Sequence, residues 1–126
     1  MVQTDISLMT RECSDWRASL RSQREQINGF KSQLQELANR PLSRDQLTEV
    51  EHYHNQFHIQ LINIHDLKQL VKAHDRRVSF ESVAHQGQIT EETQQDHESL
   101  LEEHNRLELT LNELRQAFTD FTHRTQ

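Results

Sequence analysis

The residues Ile6, Met9, Cys13, Trp16, Leu20, Gln23, Ile27, Phe30, Leu34 and Leu37 advance by alternating steps of three and four without a slip. A stripe of that period gathers its side chains on one face of an α-helix and on no single face of a strand. Gln23 is its one polar interruption. The pattern recurs at the other end of the chain, where Thr93, His97, Leu100, His104, Leu107, Leu111, Leu114, Phe118 and Phe121 hold nearly the same alternation. Between them runs Leu47, Val50, His54, Phe57, Leu61, Ile64, Leu67, Val71, His74 and Val78. Here the steps slip once, at 61–64–67, in the manner of a stammer.

The breaks between the stripes are few. Two glycines and one proline in 126 residues leave room for hardly any turns. Thr4 and Asp5 are the candidate N-caps of the first helix. Pro41 ends it near Arg40, because proline disfavours helical geometry in the residue before it. Ser43 and Gln46 have capping-box spacing at the start of the second helix. Gly87, in "ESVAHQGQIT", marks the second break, and Thr90 followed by Glu91 and Glu92 opens the third helix. The expectation is one all-α domain over 1–126, with helices at about 4–39, 43–82 and 90–123. Short connections make neighbouring helices antiparallel, so the helices form an up-down-up bundle with heptad packing, each about 50 Å long. In layout this resembles a spectrin repeat, which also has three long heptad helices with a tryptophan on the first, here Trp16. The tryptophan of the third helix in such repeats has no counterpart in this chain, and the resemblance is one of layout only.

The net charge of −6 argues against nucleic acid as a partner, since an acidic surface repels phosphate backbones. The single cysteine, Cys13, excludes an intrachain disulfide and a CxxC metal framework. "MVQTDISLMT" has no basic stretch followed by an apolar run, and no segment is apolar for long enough to cross a membrane. The expected location is the cytoplasm. Ile59, Leu61, Ile62, Ile64, Leu67, Leu70 and Val71 make the middle of the second helix apolar nearly all round. Of these, Ile59, Ile62, Leu67 and Leu70 are the candidate interaction surface, for a second copy of the chain or for a partner helix.

Nine histidines are the compositional oddity. "HYHNQFH" at 52–58 places His54 and His58 four apart, on one helix face. With Glu113 of the third helix they would make a zinc site of two histidines and a carboxylate. The plainer reading makes His54 a hydrogen-bonded residue at the core edge, with His52 and His58 on solvated flanks. Glu51 and His54, with His104 and Glu108, have the spacings of di-metal bundle sites. The expected register, however, separates the two pairs by roughly ten ångströms or more. That register sets His74 opposite His97, with Met9 nearby, and His104 near Trp16. Such layers suit the specification of register, as buried polar residues do in coiled coils. Cys13 reads as a small buried hydrophobe. No phosphate loop, nucleophile–base pair or oxyanion-binding loop is present, so no enzymatic activity and no cofactor are expected. The function expected is that of a structural or interaction module, with metal binding by His54 and His58 as the alternative.

Overall fold

The computed structural model describes residues 5–125, which form three helices: α1 (Ile6–Ala38), α2 (Arg44–Ala84) and α3 (Glu91–Thr125). They run up, down and up, as the stripes and short connections require. Thr4 lies outside the described residues. The cap of α1 is Asp5, whose Oδ1 accepts the Leu8 N–H at 3.1 Å. The Ser43–Gln46 capping box is complete. Ser43 N–H donates to Gln46 Oε1 at 2.8 Å, and Gln46 N–H donates to Ser43 Oγ at 3.2 Å. Thr90 Oγ1 accepts the Thr93 N–H at the start of α3. α2 ends where Gln86 and Gly87 enter the left-handed region, with φ of 55° and 85°. There the Gly87 N–H reaches back to the Ser82 carbonyl at 2.7 Å.

The stripes of α1 and α3 bury as the heptads require, but that of α2 differs. Its buried residues are Tyr53, Phe57, Gln60, Ile64, Leu67, Val71, His74, Val78 and Glu81. These steps alternate four and three from end to end, so no stammer exists. The apparent slip arose from assigning His54 and Leu61 to the core in place of Tyr53 and Gln60. Tyr53 reaches the core because its ring packs on Phe57, Phe118 and Phe121 while its hydroxyl donates to the Ala117 carbonyl at 3.1 Å. Gln60 accepts a hydrogen bond from Asn63. Both polar groups thus keep a partner while their carbon atoms are buried.

One core cluster joins all three helices. Its aromatic end gathers Phe30, Tyr53, Phe57, Phe118 and Phe121. Towards the α2–α3 turn the core becomes polar, and beyond that layer Met9, Val78 and Ile89 close the end. The register of α2 against α3 is the expected one, with His74 beside His97 and Tyr53 beside Phe118. Between α1 and α2 it is displaced by about one helical turn, so that Cys13 rather than Met9 meets the histidine pair.

Candidate functional site: a buried cysteine–histidine layer

Three helices each contribute one side chain to this layer: Cys13 from α1, His74 from α2 and His97 from α3. All are heptad positions, and all are buried, with 0%, 6% and 5% of their surface exposed. His74 Nε2 and His97 Nδ1 are 3.0 Å apart, and one ring nitrogen of each histidine lies within 4.8 Å of the Cys13 sulfur. Trp16 packs against two histidines, with its ring centroid 4.8 Å from that of His97 in a tilted contact and 6.0 Å from that of His104.

The outward nitrogen of His97, Nε2, lies 3.4 Å from Glu12 Oε1 but is poorly aligned with it. It therefore has no hydrogen-bond partner among the described residues. A nitrogen facing a carboxylate favours carrying the proton. His97 Nδ1 is then the acceptor, and the His74 Nε2–H donates to it. This assignment rests on the arrangement of neighbours, since hydrogens are placed by inference. Burial lowers the pKa of His74, and the neighbouring His97 lowers it further, while Asp96 and Asp75 oppose the shift. Burial, with Asp75 adding to it, pushes the Cys13 thiol up to about 11. The layer therefore combines a protonated thiol and a His74 that burial favours in its neutral form, soft and borderline donors both. Beside it Arg17 and Asp75 pair at 3.6 Å.

A second polar cluster ties α2 to the start of α3. The buried Glu81 carboxylate accepts from the Thr90 N–H at 2.8 Å, the Thr93 hydroxyl at 2.7 Å and Arg77 Nε at 2.9 Å. Burial raises its pKa, but these hydrogen bonds outweigh that and hold it down at about 2. Arg77 also reaches Asp96 at 3.1 Å. The geometry is that of a structural clamp across the α2–α3 turn.

His52, His54 and His58 are all exposed, as is Glu113. His54 and Glu51 line a groove of about 800 Å³ between α1 and α2, so His54 turns towards α1. Tyr53 takes the core position that His54 was expected to edge. Among the described residues, the one group of cysteine, histidine or acidic side chains converging closely enough for a metal is Cys13, His74 and His97. His54, His58 and Glu113 are not in it. Of the interaction candidates, Ile59, Ile62 and Leu70 are 45%, 47% and 52% exposed. Leu67 is corrected to a core residue, 5% exposed. The sequence pattern paired His74 with His97 but left Cys13 out, because the α1 register was one turn off. It also left out Glu81, two of whose partners, Thr90 and Thr93, lie on the far side of a turn.

Comparison with known proteins finds no matching family model, no matching curated protein and no matching solved structure. Among the described residues, no helix is long and apolar enough to cross a membrane.

Proposed function

We propose that the chain is a non-catalytic helical rod that works by pairing with a second copy of itself along α2. The observation that carries this reading is the set Ile59, Ile62 and Leu70, three large aliphatic side chains each about half exposed. Their separations of three and eight residues keep them on the outward side of the helix over about three turns. Six such side chains, three from each copy, contribute about 1 kcal/mol apiece when their remaining exposed surface is covered. Against the entropy cost of association that makes a weak, concentration-dependent dimer. The charge of −6 on each copy opposes pairing, so added salt strengthens it. The same acidity supports the expectation that nucleic acid is not a partner. The non-catalytic reading is supported by the buried, protonated state of the one thiol. The reading includes a cytoplasmic location, which a lone unpaired cysteine suits.

Light scattering over a concentration series tests the proposal. The expected result is a mass rising from monomer towards dimer at high micromolar concentration, and a return to monomer in the Ile59→Glu/Ile62→Glu variant. A wild-type chain that stays monomeric at those concentrations, with or without added salt, overturns it.

A further inference from the structure

We propose that Cys13, His74 and His97 form a binding site for one Zn(II) ion, held at the meeting point of the three helices with Glu12 orienting His97 from behind.

The geometry lies close to what the ion requires. Two imidazole nitrogens on a tetrahedral zinc, each at about 2.0–2.1 Å, are about 3.3 Å apart. His74 Nε2 and His97 Nδ1 are 3.0 Å apart, so they need to open by only a few tenths of an ångström. The Cys13 sulfur and one ring nitrogen of each histidine lie within 4.8 Å of one another, so Cys13 closes the third corner by a side-chain adjustment. Thiolate with imidazole is a borderline-soft donor set that suits zinc rather than magnesium or calcium. The fourth corner is left for water.

The tautomer inferred for His97 is the one that metal binding needs. With the proton on Nε2, facing Glu12 at 3.4 Å, the Nδ1 lone pair points into the layer. Binding requires the His74 proton to move from Nε2 to Nδ1, so that both histidines stay neutral, and it removes the thiol proton, so one proton leaves as the ion enters. Zn(II), the Cys13 thiolate and the Glu12 carboxylate then sum to zero charge, which lowers the cost of an ion in a buried layer. The unpartnered His97 Nε2 gains its missing partner when its ring turns to align with Glu12. Glu12 is about one-third exposed, which puts the outer edge of the site one side chain from water. On the other side His74 lines a groove of about 360 Å³ between α2 and α3.

The test is titration of the full-length, chelator-stripped chain with Co(II), followed by displacement with Zn(II). Cys13 is the only cysteine in the chain, so a thiolate-to-cobalt charge-transfer band can arise from no other residue. The only tryptophan, Trp16, packs on His97 and reports the same event by its fluorescence. The expected result is one equivalent of metal per chain, a charge-transfer band, and a Trp16 change saturating at the same ratio. Zn(II) in excess abolishes the band. Cys13→Ser removes the band. Glu12→Gln keeps the band but weakens affinity about 10- to 100-fold, as loss of a carboxylate behind a metal-bound histidine does. The His54→Gln/His58→Gln variant binds as the wild type does. Absence of the band in the saturated wild-type chain overturns the proposal whether or not any variant folds. Binding abolished by His54→Gln/His58→Gln, with Cys13→Ser unaffected, overturns it equally and moves the metal to the exposed face. Unchanged affinity in Glu12→Gln removes the role given to Glu12.

Discussion

Replacing Glu81 by glutamine keeps the shape of the side chain and removes its charge. In the native structure one carboxylate oxygen accepts the Thr90 N–H, and the other accepts both the Thr93 hydroxyl and Arg77 Nε–H. A glutamine amide offers one acceptor oxygen and one NH₂ group. Whichever way it is oriented, an N–H donor of Thr90 or Arg77 faces another donor. The cost follows from the carboxyl's displacement from 4.5 to about 2, which at 1.36 kcal/mol per unit corresponds to about 3 kcal/mol at neutral pH. For a chain of this size that lowers the melting temperature by roughly 10 °C. The pH dependence has a definite sign. A carboxylate with a depressed pKa contributes its full stability above the unfolded value of about 4.5 and loses it as pH falls towards 2. The gap between wild type and Glu81→Gln therefore shrinks from about 3 kcal/mol at about pH 7 to roughly half of that at about pH 3. Urea unfolding followed by circular dichroism at the two pH values measures it. A gap below about 1 kcal/mol at neutral pH, or one that does not narrow with acid, refutes the clamp.

Three other outcomes follow from the same structure. Acidification from about pH 7.5 to about pH 5.5 lowers the melting temperature, because His74 is neutral in the fold and takes up a proton when it unfolds. The stability it holds above its ordinary value of 6.5 is lost as pH drops below that value, against the partial compensation of Asp75, Asp96 and, behind His97, Glu12. His74→Phe flattens this response, and a wild-type melting temperature that does not fall across the range contradicts it. Phe118→Ala removes a ring that is 1% exposed and packed on Phe30, Tyr53 and Phe57, and costs about 3–5 kcal/mol by urea unfolding. Gly87→Ala forces a Cβ into the left-handed region at φ 85° and costs about 1 kcal/mol, with no contribution from crowding, since nothing lies within 4 Å of the added atom.

Much of the architecture was legible in the amino-acid order, because heptads and caps are local codes. The stripe from Ile6 to Leu37 needs no partner to declare its buried face, and Asp5, Ser43 with Gln46, and Thr90 make their capping bonds within one turn of themselves. The His74–His97 pair was legible as well, since the α2–α3 turn is short and register counted from it holds as far as Tyr53 and Phe118. Tertiary structure alone decided three other points. Tyr53 is a core residue because its ring packs on Phe118 and Phe121 of α3 and the Ala117 carbonyl accepts its hydroxyl, none of which α2 declares by itself. Glu81 is buried because Thr90 and Thr93, on the far side of a turn, supply its donors. Cys13 joins the two histidines because the α1–α2 register differs by about one turn from a count taken at Pro41. A heptad stripe fixes which face of a helix is buried, but sliding one helix along another by a full turn leaves that face unchanged. Only the interlocking of particular side chains, here Phe30 against Phe57 and Cys13 against His74, selects one such position.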